Sequence, residues 1–168
     1  MIKKILLALF CALGLMGQVA SAASADAKAG NDGSEKQLNA HRKNFAHLSL
    51  SVLAESYFKN TFAKTLAQGG EMSGPQKLIN AYPYNGGVYV HIEIDTNNVP
   101  DWDVIISDEH EYNAFLATIQ TIYFGSLCSS TSGQYLVERG MQLLIIFTDA
   151  HGNGVGFINV VDGKCPSL

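Results

Sequence analysis

Apolar residues first recur at helical spacing over residues 35–68. This stretch has no proline or glycine, and its apolar positions include Phe45, Leu48 and Val52. The Gly69-Gly70 pair that follows is typical of a helix end. The sequence therefore predicts a long N-terminal helix, with more apolar surface than one buried face requires.

A second helical pattern, the most regular in the chain, runs from Tyr112 to Tyr123. Asp108 and Glu111 precede it with the spacing of a capping box, in which the first residue caps the helix start. Residues 125–133 interrupt the pattern with small and polar residues. Residues 134–139 fit either a short helix or an extended link.

Between and after the helices, apolar and β-branched residues follow strand patterns. Residues 88–95 alternate, 102–107 are β-branched at their centre, and 142–149 are apolar. Residues 151–154 read as a hairpin loop, with 155–161 as the returning strand. The sequence therefore predicts an α+β fold: an N-terminal helix, then β-β-α-β-β, with a four-stranded antiparallel sheet covered by helices on one face.

The N-terminus has the pattern of a secretory signal peptide over residues 1–22. A short basic start and an apolar run lead to the small residues Ala20 and Ala22, which suit cleavage after Ala22. An uncleaved anchor is the alternative, which the shortness of the apolar run disfavours. Residues 23–34 are small and polar and predict a flexible leader, and residues 35–168 form one domain.

Cysteine usage fits an exported protein. Cleavage after residue 22 removes Cys11 and leaves Cys128 and Cys165, and an even count in an oxidising compartment indicates a disulfide. Such a crosslink stabilises a fold by about 4 kcal/mol on the chain-entropy model. The rival interpretation is a catalytic thiol at Cys128. We expect a periplasmic protein with one disulfide.

The charge pattern excludes some partners and predicts no obvious chemistry. The net charge is −4 and no basic patch stands out, so nucleic acid is a poor candidate partner. The predicted domain also has no segment that is long and apolar enough for stable membrane insertion. The histidines do not share metal-ligand spacing, and the sequence predicts no cofactor, no metal site and no catalytic residues. An acidic cluster near the middle of the chain favours a solvated helix start, although an enzyme or metal binder using it stays a third hypothesis. Its members are Asp101, Asp103, Asp108, Glu109 and Glu111.

The surplus of apolar residues suggests a surface for another protein. Exposed apolar residues rimmed by polar ones mark partner sites, and a groove that receives a helix is one arrangement. A thick hydrophobic core is the alternative. The candidate partner-binding residues are Phe45, Leu48, Val52, Tyr57, Tyr84 and Tyr89.

The second half resembles the type II secretion pilotins of the GspS-beta/AspS type. The resemblance lies in Leu127-Cys128, the run Leu136–Gly140, the hairpin 142–161 and the ending Asp162–Cys165. It implies a small periplasmic α/β domain with one disulfide and a sheet-and-helix groove. Such pilotins bind the C-terminal segment of a secretin subunit and help deliver it to the outer membrane.

One feature departs from that family. Its members are lipoproteins, whereas bulky Phe10 stands before Cys11, where lipidation requires a small residue. The combination favours a soluble secretin chaperone, or a relative with a different client. We therefore predict a non-enzymatic, pilotin-like periplasmic protein that binds a segment of an envelope protein such as a secretin. The alternative is a periplasmic immunity protein that neutralises a toxin delivered to the envelope.

Overall fold

The computed structural model describes residues 31–72, 74–160 and 164–165; the predicted signal peptide and most of the predicted leader lie outside them. Helix α1 begins at Asn31, inside the stretch predicted as leader. The α-helices and strands of the described residues follow in chain order. They are α1 (Asn31–Phe45), α2 (Leu50–Thr61), α3 (Ala63–Ala67), β1 (Gln76–Tyr84), β2 (Gly87–Ile94), α4 (Trp102–Ser107), α5 (Glu109–Cys128), α6 (Thr131–Glu138), β3 (Leu143–Asp149) and β4 (Gly154–Asn159).

The four strands form one sheet in the order β1-β2-β3-β4. The outer pairs are antiparallel hairpins, but the central strands β2 and β3 run parallel. The connection between them contains α4, α5 and α6, and a crossover of this kind brings the chain back in the same direction. The predicted α+β class and four-stranded sheet are confirmed, with a mixed rather than an antiparallel sheet.

Strand alternation gives the sheet two different faces. On one face lie fully buried aliphatic and aromatic side chains, among them Val90, Ile92, Ile145 and Phe147. Helices α2, α3 and α5 pack on the strands, and α5 buries Phe115, Ile119 and Tyr123 in the same core. No helix among the described residues covers the opposite face, which we call the open face. It is defined by Tyr82, Tyr89, Leu144, Ile146 and Phe157.

The predicted strand over residues 102–107 is wrong, because these residues form helix α4. Asp101 starts the turn into the helix in a left-handed conformation, at φ 57°, which aspartate tolerates better than most residues. Trp102 then packs edge-on against Phe115, with ring centroids 5.7 Å apart, and Ile105 is buried. Tertiary packing on α5 therefore overrides the β propensity of the Val-Ile-Ile run.

The long N-terminal helix predicted over residues 35–68 is divided into α1, α2 and α3. The first break falls at Ser49, whose side-chain oxygen accepts a hydrogen bond from the Val52 amide at 3.3 Å and caps α2. Because α1 packs on α6 while α2 packs on β1 and β2, the chain must change direction at this point.

Strand β1 is absent from the prediction, yet it completes the first hairpin. Asn85 and Gly86 join it to β2, both with positive φ, as a two-residue turn of the favoured hairpin type requires. The strand lacks clean alternation because its register shifts between Leu78 and Asn80, and Pro83 is tolerated because β1 lies at the sheet edge. The sheet therefore keeps four strands, with β1 before β2 in place of the strand predicted after it over residues 102–107.

Among the remaining predictions for the second half, the helix cap and the β3–β4 hairpin agree with the structure, whereas the interruption predicted over residues 125–133 is wrong over residues 125–128. Asp108 caps α5, accepting hydrogen bonds from the amides of His110 and Glu111 at 2.8 and 3.1 Å. Helix α5 continues through Gly125 to Cys128, and the residues after it form the short helix α6. Over the described residues, none of the helices has the length and apolar character required to cross a membrane.

Candidate functional site

Helices α1, α2 and α6 enclose a groove on the helix-covered side of the sheet. The groove has a volume of about 260 Å³, and its aliphatic lining comes from Leu48, Leu53 and Leu136. Exposed polar side chains form its rim, namely Ser56, Asn60 and Ser132. We call this cleft the α1–α2–α6 groove.

One wall of the groove is a cluster of three rings from α1 and α6. His41 stacks on Phe45 one helical turn later, with ring centroids 5.4 Å apart. Tyr135 of α6 lies 6.3 Å from both rings. Such ring pairs add roughly 0.5–1.5 kcal/mol each to the stability of the packed state, so the wall has a defined shape.

Arg139 fastens this wall to the turn between α1 and α2. Its guanidinium donates to the carbonyl oxygens of Phe45 at 3.2 Å and Leu48 at 2.9 Å. It also donates to the Tyr135 hydroxyl at 2.6 Å and lies 5.6 Å from the centre of that ring. A charged donor forms strong hydrogen bonds with carbonyl groups at a helix end. The Arg139 side chain therefore fixes the end of α1 relative to α6.

A second arginine ties α1 to α6 at the surface. Arg42 Nε donates to Glu138 Oε2 at 3.0 Å, and its Nη1 donates to Glu35 at 3.1 Å. The hydrogen bond to Glu138 is the main reason that the pKa of Arg42 lies above its ordinary value. Because these groups are exposed, the pair orients the helices more than it stabilises them.

Tyr57 of α2 brings a neutral aromatic side chain to the groove. Its ring packs edge-on against Phe62, with centroids 5.8 Å apart. Burial disfavours the phenolate and raises the pKa of Tyr57 to about 12, against a smaller opposing effect of Thr61. Tyr57 therefore stays uncharged at neutral pH, which suits an apolar ligand.

The disulfide lies beside the start of α6. Cys128, the last residue of α5, is bonded to Cys165, 37 residues along the chain. Gln134 donates to the Cys128 carbonyl at 3.0 Å, and Ser130 caps α6 by accepting from the Gly133 amide at 3.1 Å. The predicted disulfide is confirmed, and the alternative of a free catalytic thiol at Cys128 is wrong.

The candidate partner-binding residues fall into separate places. Phe45, Leu48 and Tyr57 line the α1–α2–α6 groove. Val52 is exposed on α2 beside it, without lining it. Tyr89 lies on the open face, where it stacks on Tyr82 with centroids 4.8 Å apart. Tyr84, at the end of β1, is exposed.

Sequence reasoning missed His41, Tyr135 and Arg139 as groove residues. His41 and Phe45 are four residues apart, a spacing that places two side chains on one helix face. That signal was present in the sequence. Tyr135 and Arg139 had no such signal, because only the packing of α6 on α1 brings them to the turn at residues 46–49.

Asp108 of the acidic cluster and Asp149 of the β3–β4 loop have local structural roles. Asp108 caps α5, as described above. Asp149 accepts hydrogen bonds from the amides of His151 and Asn153 and from the Asn153 side chain, at 2.8–2.9 Å. The side-chain bond from Asn153 is the main cause that lowers the pKa of Asp149. Within the described ranges, no group of three or more His, Cys, Asp or Glu side chains is placed to hold a metal ion.

Comparison with known proteins gives two similar solved structures. No family model matches the chain, and no curated protein matches it significantly. The type II secretion pilotin AspS from Vibrio cholerae is 16% identical, with a TM-score of 0.45 over 67% of this chain and 88% of that one. The pilotin EpsS of the Vibrio vulnificus type 2 secretion system is 17% identical, with a TM-score of 0.48 over 71% of this chain and 94% of that one.

Both structures are pilotins, the family that the two-cysteine pattern of this sequence resembles. The described residues of this chain form an α+β domain with a helix-walled groove and one disulfide.

Proposed function

We propose that this protein is a non-enzymatic, pilotin-like binding protein of the periplasm. It holds a segment of another envelope protein, such as a secretin, in the α1–α2–α6 groove. The observation that carries the proposal is the groove itself, a cleft with an apolar aromatic wall and a polar rim. Apolar surface rimmed by polar groups is typical of protein-binding sites.

The size of the groove favours a protein segment over a small molecule. Its volume of about 260 Å³ falls below the roughly 300–1,000 Å³ of most small-molecule pockets. It suits one or two large apolar side chains projecting from a partner, as in the docking of an amphipathic helix. The polar rim of Ser56, Asn60 and Ser132 is then available for hydrogen bonds to the partner.

The groove is also preformed. Arg139 ties the α1–α2 turn to α6 by two hydrogen bonds, a third orients Tyr135 within α6, and the ring cluster fixes the wall. A site that is already ordered loses less conformational entropy when a ligand binds, so more of the contact energy appears as affinity. The lining residues Phe45 and Leu48 are held close to Arg139, because it binds their own carbonyl groups.

The client class follows from the sequence pattern around Cys128 and Cys165, which resembles pilotins that bind secretin segments. The disulfide supports export, since such bonds persist in oxidising compartments such as the periplasm. Bulky Phe10 stands directly before Cys11, where lipidation requires a small residue. A soluble carrier is therefore proposed, rather than a lipid-anchored one.

Photo-crosslinking in living cells tests the proposal. A crosslinking amino acid is placed at Leu48 in the groove, and at exposed Ile106 on α4 as the matched control. We expect an envelope protein, a secretin foremost, to be captured from the Leu48 position and not from Ile106. Capture of a toxin instead would favour the immunity-protein alternative, and equal capture from both positions contradicts the groove.

Affinity purification of variants provides a second measurement. Phe45→Asp places a charge on the groove wall, whereas Val104→Asp makes the same kind of change on exposed α4. Loss of an anchor contact of about 1.4 kcal/mol corresponds to about a tenfold loss of affinity. We expect that loss for Phe45→Asp alone, with circular dichroism showing that both variants fold. An unchanged client yield from folded Phe45→Asp protein refutes the proposal.

A further inference from the structure

The open face carries an unusual concentration of exposed apolar side chains. Phe157 is 68% exposed and Tyr82 42% exposed, although both lie within regular strands. In register across the sheet, Tyr82 faces Tyr89, which faces Leu144, while Ile146 faces Phe157 in the neighbouring row. The apolar side chains therefore form a diagonal band across all four strands, and the same two rows also contain Asn80, His91 and Asn159.

From this face we infer that the protein forms a symmetric dimer by packing the open faces of two copies against each other. Face-to-face sheets pack about 10 Å apart, with the side chains of the two faces interdigitating. A symmetric pairing brings the same patch from both copies together, so the patch must be complementary to itself. The two rows present apolar side chains from all four strands, which such a pairing could bury.

The charge distribution favours a second copy as the occupant. The chain has a net charge of −4, so copies repel each other over most of their surface. The charged groups of the open face are confined to one end, where Lys77 and Glu93 face each other in register. The strands of the rest of the face carry one histidine, His91, but no Asp, Glu, Lys or Arg side chain, so two copies can approach there without bringing carboxylates together.

The available area reaches the range that stable dimers need. Four strands at about 4.8 Å spacing and about seven residues long give a face of about 20 by 20 Å. With its projecting aromatic side chains, such a face offers on the order of 600 Å² of accessible surface per copy, close to the lower limit of about 1,200 Å² in total for specific interfaces. Dimerisation here leaves the groove free, because the groove lies on the helix-covered side of the sheet.

Sedimentation equilibrium of the purified, exported protein tests this inference over a wide concentration range. We expect a reversible monomer–dimer equilibrium with a dissociation constant on the order of micromolar, as interfaces of this size commonly have. A protein that stays monomeric at millimolar concentration overturns the inference. Higher oligomers without a dimer plateau overturn it as well, because a symmetric pairing of one face closes at two copies.

Matched variants locate the interface. Phe157→Lys places a charge on the most exposed apolar side chain of the open face, on edge strand β4. Val104→Lys places one at a similarly exposed site on α4, where Val104 is 58% exposed. We expect dimerisation about 100-fold weaker for Phe157→Lys, the scale of a lost interface anchor, and unchanged for Val104→Lys. A dimer that survives Phe157→Lys but is lost on Phe45→Asp lies at the groove, and this result also overturns the inference.

Discussion

The two sides of the sheet expose apolar groups in different ways. On the helix-covered side, the strands contribute fully buried residues such as Ile145 and Phe147, and the groove above them exposes part of the Phe45 ring. On the open face, the strands themselves expose Tyr82, Leu144 and Phe157. The groove is concave, and side-chain hydrogen bonds join its walls. The open face is the surface of a sheet whose strands are joined by backbone hydrogen bonds. A concave site suits an inserted segment, and a sheet face suits a second sheet.

The largest expected difference between the sides is in stability, and two phenylalanines measure it. Phe147 is fully buried and Phe157 is 68% exposed, and they lie on neighbouring strands but on opposite faces. We expect Phe147→Ala to lower the free energy of unfolding by about 3–5 kcal/mol, because it leaves a cavity. Phe157→Ala should change it by about 0.5 kcal/mol or less in the monomer. Urea denaturation at low protein concentration measures both, and similar losses would contradict the assignment of the faces.

Removing the disulfide should affect the groove side selectively. The Cys128→Ser, Cys165→Ser double variant should be less stable by about 2–4 kcal/mol, because the unfolded chain is no longer constrained. Gln134 binds the Cys128 carbonyl, so α6 should also loosen locally. Amide hydrogen exchange should be accelerated more in α6 than in β2. Uniform acceleration over both elements indicates instead a purely global effect.

Arg139→Ala tests whether one side chain holds the groove walls together. Its three hydrogen bonds satisfy two carbonyls and a tyrosine hydroxyl, and hydrogen bonds to charged groups contribute roughly 1.5–3 kcal/mol. We expect a loss of about 1–3 kcal/mol in the free energy of unfolding, since partial exposure lets water replace some of these contacts. Faster amide exchange at residues 46–49 should accompany it. Lys59→Ala, which breaks the exposed pair with Glu55, is the control and should leave that segment unchanged.

The smallest expected effect is the pH dependence of stability that Asp149 of the β3–β4 loop contributes. Hydrogen bonds lower the pKa of Asp149 below its ordinary value of 3.8, so the carboxylate contributes stability above that pH. This contribution should be lost as the pH falls from about 4 through the lowered pKa. The difference in stability between wild type and Asp149→Asn, from urea curves at pH 2.5–6, should shrink in that window. A difference that does not vary with pH contradicts the assignment to Asp149.

Much of the second half of the fold was predictable because its signals are local. Asp108 caps α5, and the loop between β3 and β4 follows from neighbouring polar and glycine residues. The first half was harder. The Asn85-Gly86 pair is a strong hairpin signal, but the register shift near Ile79 and the proline at position 83 obscured β1. Residues 102–107 have β-branched character, and only contact with α5 makes them helical.

The candidate site was partly predictable for the same reason. Phe45, Leu48 and Tyr57 were identified from helical spacing, which reports which residues share a helix face. Tyr89 and Tyr84 were grouped with them because they are aromatic, and spacing cannot place a strand residue relative to a helix. Arg139 was identified only as part of the pilotin-like pattern, since its hydrogen-bond partners are more than 90 residues away along the chain.

By itself, the sequence determined the α+β class, the alternating strands, the disulfide partners and an excess of apolar residues, because each depends on residue type or short-range periodicity. Only the tertiary structure decided how that excess is divided. The break at Ser49 folds α2 against the sheet and α1 against α6, which creates the groove. The crossover between β2 and β3 carries its helices to one face and leaves the other open. Both outcomes depend on long-range packing, which local patterns do not encode.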